Sequence, residues 1–198
     1  MKFGAKYVNY QLDDDQLAII EKTIDQNDTK SNFDYSSCRS MILQEPKLFQ
    51  ILWDIGNEFN NFVAKGGWKL DVKGLEPIEF LHSFPEDKSL VYLQETSTET
   101  KTNPIDWMLD CSRVDNFNLI PPDMIRKICM IIFVNDDYSG GEFDIELNGP
   151  SHEVRYETFN KTKGSLFLFQ SDFWYRIRPV KSGSMKIIRT SFIGPSYK

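Results

Sequence analysis

A chain of 198 residues is long enough for one sizeable domain, and its 40% hydrophobic content supplies the volume of a packed core. The formal charge of −6 argues against nucleic-acid binding, because an electrostatic hold on phosphates needs clustered Lys and Arg. No apolar run has the length of a membrane span or a signal peptide, so we expect a cytoplasmic protein that binds no membrane. Cys38, Cys111 and Cys129 lack zinc-site spacing and suit reduced thiols.

Two helices are predicted in the N-terminal part, residues 1–66, which we interpret as a helical support. The first follows Asp13, Asp14 and Asp15, whose charges suit the positive end of a helix and whose spacing is not that of a calcium loop. The second begins at Pro46, a favoured first-turn residue, and carries a broad apolar face as far as the glycines at positions 66–67.

Short β-prone runs follow and dominate the rest of the chain. A polar stretch at about 95–124 is too long for a hairpin loop and is interpreted as a lid or insertion. The fold class indicated is α+β, mainly β, in a single domain 1–198 with a sandwich or jelly roll over 67–195. The predicted strands are residues 68–72, 78–82, 89–94, 128–134, 143–147, 153–158, 165–170, 175–180 and 186–193.

Three segments of the C-terminal half, in this order, resemble a known family. They are RKICMIIFVNDDYSGGEFDI (126–145), KGSLFLFQSDFWYRIRPV (163–180) and SGSMKIIRTSFIGP (182–195). Together they resemble the double-stranded β-helix of iron(II) and 2-oxoglutarate dependent oxygenases, in particular the prolyl-4-hydroxylase-like branch. A weaker match, GGWKLDVKGLEPIEFLHSF (66–84), lies upstream. The resemblance implies a jelly-roll or cupin-like β-helix supported by the N-terminal helices.

The resemblance also implies a metal site, and this sequence departs from it. Enzymes of the family bind iron through two histidines and one carboxylate, which leaves positions open for 2-oxoglutarate and oxygen. Tyr175 stands where the distal histidine of the family would fall. Two alignments of the earlier His-x-Asp pair stay open, Leu93 with Glu95 or Arg113 with Asp115, and neither supplies a histidine.

The two histidines of the chain do not repair this site. His82 and His152 are not followed two residues later by an acid, and a lone histidine on a strand or loop is more often structural or exposed than a ligand. We therefore expect no bound metal.

The cosubstrate position is changed as well. The family places an Arg or Lys two residues after the glycine of the closing strand, where it pairs with the distal carboxylate of 2-oxoglutarate. Met185 holds that position here. Lys186 should point to the opposite face of the strand, whereas Arg189 shares the face of Met185 and could reach a carboxylate.

An aromatic and basic stretch suggests a contact surface. Phe173 and Trp174 lie beside Arg176 and Arg178, a composition favoured at protein interfaces. The same composition fits a packed barrel mouth, so both interpretations stay open.

These features favour a catalytically inactive oxygenase-like protein that needs no cofactor. We expect it to act by binding, as a subunit, adaptor or structural component, with a protein partner or as a homo-oligomer. The acidic, Asn- and Lys-rich chain resembles oxygenase-related proteins of tailed bacteriophages, which implies a virion or phage accessory role in the host cytoplasm or the virion. One alternative is an active hydroxylase that uses Fe(II) and 2-oxoglutarate with a non-standard ligand set; another is a metal-free small-ligand binder.

Overall fold

The structure, a computed structural model, describes residues 2–3, 6–27, 33–35, 38–62, 67–85, 109–110, 121, 123–149 and 151–196. Within these ranges the helices are α1 (Asp14–Asn27) and α2 (Pro46–Asn61). The strands are β1 (Lys2–Phe3), β2 (Tyr7–Gln11), β3 (Phe33–Tyr35), β4 (Cys38–Leu43), β5 (Gly74–Leu75), β6 (Ile78–Ser83), β7 (Met124–Phe133), β8 (Ser139–Gly140), β9 (Phe143–Glu146), β10 (Tyr156–Phe159), β11 (Ser165–Gln170), β12 (Tyr175–Ile177), β13 (Val180–Ser182) and β14 (Met185–Pro195).

In the described ranges the strands form one large and two small sheets. The large sheet has the order β1-β2-β11-β7-β14-β6-β4-β3, with β5 paired to β14. The three-stranded sheet has the order β10-β9-β12, and β13 pairs with β8. Neighbouring strands are antiparallel throughout. This is the mainly β architecture with supporting helices that the sequence predicts, and the fold-class prediction is confirmed.

Two apolar cores lie on opposite faces of the large sheet. The inner core joins alternate residues of β7, β11 and β14 to the three-stranded sheet, with Phe143, Phe167 and Tyr175 fully buried. The outer core joins the other set of residues to α1 and α2. Strand β7 is buried on both faces, which explains its continuous apolar run from Ile128 to Phe133.

The helices begin where the sequence predicts. The Asp13 carboxylate accepts from the backbone N–H of Gln16 at 2.8 Å, and the Gln16 side chain accepts from the Asp13 N–H at 3.1 Å, which is a capping box. Pro46 occupies the first turn of α2 after the N-cap Glu45. Neither helix in the described part of the chain is long and apolar enough to cross a membrane.

The N-terminal part contains strands as well as helices. β2 pairs with β11 and β4 pairs with β6, so both extend the large sheet. The sequence analysis does not predict these strands. The predicted strand at residues 68–72 is wrong, because this segment is irregular and strand pairing begins only at Gly74. The predicted strand at 89–94 lies outside the described residues, as does most of the stretch at 95–124.

The turn before β9 needs glycine. Gly140 and Gly141 have φ values of 79° and 64°, and a Cβ on Gly140 would lie 2.3 Å from the carbonyl oxygen of Pro179. The Tyr-Ser-Gly-Gly-Glu turn therefore brings β8 against β13 at a distance that only glycine allows.

Candidate functional site

Polar side chains gather on the inward face of the large sheet, beside the inner apolar core. Two of them, Cys129 and Tyr175, belong to that core. We call the group the inner polar cluster. It consists of Glu76, Glu79, Asp110, Arg126, Cys129, Tyr175 and Arg189.

Tyr175 is fully buried and donates its hydroxyl hydrogen to Asp110 Oδ2 at 2.7 Å. Strand β12 places it there, because alternate residues of that strand face the inner core. Burial, together with the negative charge of Asp110, raises the pKa of the Tyr175 phenol well above its ordinary value. Tyr175 is therefore a neutral hydrogen-bond donor and is held in its protonated form.

Cys129 of β7 contacts the same carboxylate. Its Sγ lies 3.5 Å from Asp110 Oδ2 and 3.9 Å from the Ser191 hydroxyl. Burial and the charge of Asp110 raise the pKa of the Cys129 thiol well above its ordinary value. The thiol stays protonated and donates to the carboxylate instead of acting as a nucleophile.

Arg126 connects Asp110 to Glu76. Its guanidinium binds both Glu76 oxygens, at 2.6 and 3.0 Å, and its Nη1 lies 3.6 Å from Asp110 Oδ1. Burial opposes the charge of Arg126, but the paired carboxylates outweigh it and raise the pKa. Asp110 is only 8% exposed, and both of its oxygens face donors: Oδ2 accepts from Tyr175 and Cys129, and Oδ1 lies beside Arg126.

Arg189 of β14 lies directly opposite Glu79 of β6, and its Nη2 donates to Glu79 Oε2 at 2.8 Å. Met185 and Ile187 of the same strand lie in the inner core, so Arg189 shares their face as the alternation of the strand predicts. Met185 is fully buried among apolar residues. The backbone N–H of Lys186 donates to the Asn135 side chain at 2.7 Å, and Lys186 belongs to neither apolar core.

These residues do not fit a ferrous ion. Iron sites of this fold depend on imidazole ligands, and the Tyr175 position offers the Asp110 carboxylate beside a phenol and a thiol that are both kept protonated. The other two carboxylates of the cluster, Glu76 and Glu79, are paired with Arg126 and Arg189. Arg126 adds a positive charge 3.6 Å from that carboxylate, which opposes a cation. In the part of the chain that the structure describes, no group of three His, Cys, Asp or Glu side chains could hold a metal.

The residues predicted for the early ligand pair cannot be placed. Leu93, Glu95, Arg113 and Asp115 lie outside the described residues, so both alignments stay predictions. The carboxylate that meets Tyr175 is Asp110, which the sequence analysis does not single out. Its one signal is an acid directly after the apolar run Trp-Met-Leu at 107–109, inside an otherwise polar stretch.

The histidines have structural partners. His82 Nε2 lies 2.9 Å from the Ser184 hydroxyl, and its ring packs against Phe84 at 4.5 Å. The exposed His152 contacts the backbone of Val154 through Nδ1.

The predicted contact residues lie on and beside the three-stranded sheet. Arg176 Nε and Arg178 Nε bind one oxygen of the fully buried Asp144, at 2.5 and 2.9 Å. The Arg176 guanidinium covers the Tyr156 ring at 4.8 Å. Both arginines therefore hold this sheet together from its outer face.

The two aromatic residues of that stretch differ in exposure. Trp174 is 43% exposed, whereas Phe173 packs against the inner core. Trp174 is thus the aromatic side chain of the pair that is available for contact.

Solved structures of prolyl-4-hydroxylase-like oxygenases share this fold. A prolyl-4-hydroxylase from Pseudomonas putida superposes with a TM-score of 0.64 at 11% identity, over 94% of this chain and 91% of that chain. A 2OG-Fe(II) oxygenase family oxidoreductase from Burkholderia pseudomallei gives 0.62 at 12% identity, over 96% and 84%. A prolyl hydroxylase from Trichoplax adhaerens, in complex with a hypoxia inducible factor peptide fragment, gives 0.58 at 9% identity, over 95% and 83%.

The sequence itself gives no such match: no protein-family model and no curated protein matches it. At 9 to 12% identity, the structural likeness shows the fold alone. The chain has the double-stranded β-helix of prolyl-4-hydroxylase-like 2-oxoglutarate oxygenases.

Proposed function

We propose that this protein acts by binding and not by oxidation, as an oxygenase-like β-helix whose iron position holds an internal hydrogen-bond network. One observation carries the proposal. At the place of the distal histidine, the Tyr175 phenol donates to the buried Asp110 at 2.7 Å. The remaining Asp110 oxygen faces Arg126, so the carboxylate that would serve a metal is committed to the protein itself.

The chemistry of the donors supports this proposal. A phenol or thiol binds a metal as its anion, and burial and Asp110 raise the pKa of both Tyr175 and Cys129. Binding a ferrous ion would require the loss of these protons and of the Arg126 contact together. The network is therefore better suited to fixing the barrel than to holding a cofactor.

A binding role needs an exposed surface, and the three-stranded sheet supplies one. Trp174, Tyr156 and Val154 are 43%, 36% and 62% exposed. The guanidinium groups of Arg176 and Arg178 lie 4.8 and 5.9 Å from the centre of the Tyr156 ring. Exposed aromatic and Arg side chains dominate the energy of many protein interfaces. We propose that the protein is a subunit, adaptor or structural component in the setting of a phage virion or accessory function, with its partner on this face.

The first test is anaerobic incubation of the purified protein with ferrous iron and 2-oxoglutarate, followed by oxygen. We expect no stoichiometric metal and no succinate, while an active prolyl hydroxylase in the same buffer gives both. Stoichiometric iron with succinate release would instead identify an active hydroxylase with a non-standard ligand set.

The second test is association, measured by light scattering after size exclusion and by co-purification from the native host. We expect an oligomer or a defined partner that is lost in Trp174→Ala. Phe49→Ala is the matched control, because Phe49 is an exposed aromatic residue on α2, 40% exposed. A monomer under all conditions, with no partner recovered, would contradict a binding role.

A further inference from the structure

We propose that Glu79 is a built-in carboxylate ligand for Arg189, so that the chain itself occupies a carboxylate-binding position in the barrel. Free carboxylates bind Arg189 only when the Glu79 carboxylate is removed. The inference deepens the proposed function and rests on it, since a true oxygenase would keep such a position for its cosubstrate.

Glu79 contacts Arg189 in the way that a bound carboxylate ligand would. Glu79 and Arg189 are direct neighbours across the β6–β14 ladder, and Arg189 Nη2 lies 2.8 Å from Glu79 Oε2. Their side chains are 18% and 22% exposed, so the pair is largely withdrawn from water but keeps some contact with it. A charge-assisted hydrogen bond of this kind is stronger than a neutral one.

Arg189 keeps its charge in this position. Burial opposes the charge, but Glu79, and more weakly Asp110, raise the pKa of Arg189 well above its ordinary value. The other guanidinium of the inner polar cluster, Arg126, is bound by both oxygens of Glu76. Within the described residues, Arg189 is thus the arginine of the two that donates to a single carboxylate oxygen, Glu79 Oε2.

The charge balance predicts that the intact protein excludes anions from this site. The inner polar cluster contains two guanidinium groups, of Arg126 and Arg189, and three carboxylates, of Glu76, Glu79 and Asp110. Its net charge is therefore one negative charge. Removal of the Glu79 carboxylate removes this negative charge. Arg189 then lacks its carboxylate partner in a site that is largely withdrawn from water. Such a lone cation is costly, and an incoming carboxylate relieves that cost.

The ligand class follows from what surrounds Arg189. Met185, further along the same face, is fully buried among apolar residues and offers no second cation. The other guanidinium of the cluster, Arg126, is already bound by both Glu76 oxygens, so the site recognises one carboxylate and gains nothing from a second. Acetate, glutarate and 2-oxoglutarate should bind with similar affinity, which separates this site from one selective for 2-oxoglutarate.

The experiment is a rescue of stability by added carboxylate. Thermal unfolding of wild type and Glu79→Ala is followed in acetate, glutarate or 2-oxoglutarate, against sodium chloride at equal ionic strength. Glu79→Ala should have a lower Tm that rises with carboxylate concentration, as binding to the native state requires. We expect its dissociation constant for acetate to be at least about tenfold below that of wild type.

The matched control is Glu21→Ala, because Glu21 forms an ion pair with Lys163 whose side chains are 42% and 46% exposed. The Glu21 carboxylate is exposed to water, so its removal leaves Lys163 hydrated. We therefore expect no rise in Tm when carboxylate is added to this variant. Glu79→Ala/Arg189→Met should not respond to carboxylate. If Glu79→Ala does not fold, Glu79→Ser decides, because it removes the carboxylate, is too short to reach Arg189 and keeps a small polar side chain on the strand.

Two results would overturn the inference. One is a wild-type protein that binds acetate as tightly as the Glu79 variants do. The other is a folded Glu79→Ala protein, or Glu79→Ser if Glu79→Ala does not fold, that shows no response to carboxylate. Neither result would show that the protein binds iron, so the proposed function would be unaffected. Iron binding with succinate release by wild type would overturn the proposed function. The response of Tm to carboxylate is a separate measurement and would still test whether Glu79 occupies the Arg189 site.

Discussion

Asp110 connects β12 to β7 beside the inner core. It accepts from Tyr175 of β12 and from Cys129 of β7, and its second oxygen faces Arg126. A carboxylate with this many buried donors cannot be removed without leaving several of them unsatisfied. Asp110 therefore keeps Tyr175 and Cys129 protonated and fixes the positions of these two side chains.

Replacing Asp110 with Ala should destabilise the protein by about 2–4 kcal/mol, because the Tyr175 hydroxyl and the Arg126 charge lose a buried partner. Urea unfolding measures the change. Asp54→Ala is the control, since Asp54 accepts a hydrogen bond from Gln50 at the exposed surface of α2. Equal stability of the two variants would show that the cluster contributes little.

The raised pKa of Tyr175 predicts a loss of stability in alkali. An unfolded tyrosine releases its proton near pH 10, while buried Tyr175 keeps its proton to higher pH. Above about pH 10 the unfolded chain therefore binds fewer protons than the folded chain, and stability falls by about 1.4 kcal/mol per pH unit for this group.

Tyr175→Phe should show a shallower decline of unfolding free energy between about pH 10 and 12, although it is less stable at neutral pH because a hydrogen bond is lost. Denaturant titrations at several pH values give the two slopes. Identical slopes would mean that Tyr175 ionises as readily in the folded state as in the unfolded state.

Sequence reasoning finds Tyr175 and not Asp110, for a physical reason. Tyr175 lies at a fixed distance before a Pro-Val pair and inside a periodic strand, so its place follows from local pattern. Asp110 lies in a segment without periodicity, and its partners are 65 and 19 residues away in the chain. Only the folded sheet brings them together.

Among the elements, strands with strong apolar runs are predictable and polar edge strands are not. The prediction at 165–170 coincides with β11, whose first five residues are buried. β2 has the sequence YVNYQ, in which polar residues interrupt the apolar pattern, and it is defined by its pairing with β11. Tertiary pairing decides such strands more than their own propensity.

The packing of α2 on the large sheet depends on Gly56. An added Cβ would lie 1.9 Å from the ring of Phe192, which is fully buried and stacked on Trp53 at 5.5 Å. In an exposed helix, Gly→Ala stabilises by about 1 kcal/mol. Here overpacking should reverse the sign, and we expect Gly56→Ala to destabilise by about 1–3 kcal/mol.

Chemical denaturation checks this sign, with Gly149→Ala as the matched glycine control. A Cβ at Gly149 meets no atom within 4 Å, so its effect should stay within about 0.5 kcal/mol. A more stable Gly56→Ala protein would mean that the helix moves away from β14 without cost.

At the scale of the whole molecule, N-terminal and C-terminal strands share one sheet. β2 pairs with β11 along five residues and β4 pairs with β6 along six, so neither part of the large sheet is complete alone. The helices of the described ranges belong to the N-terminal part, whereas the inner core is formed mostly by β7 and later strands.

This arrangement predicts one cooperative unfolding transition, as expected for a single domain. Far-UV circular dichroism at 222 nm follows mainly α1 and α2, and near-UV circular dichroism follows the packed aromatic residues of the barrel. The two melting curves should coincide, and Asp110→Ala should shift both together although it changes only the inner polar cluster. Separate midpoints would show that the helical part and the barrel unfold independently, because the shared sheet would then be too weak to couple them.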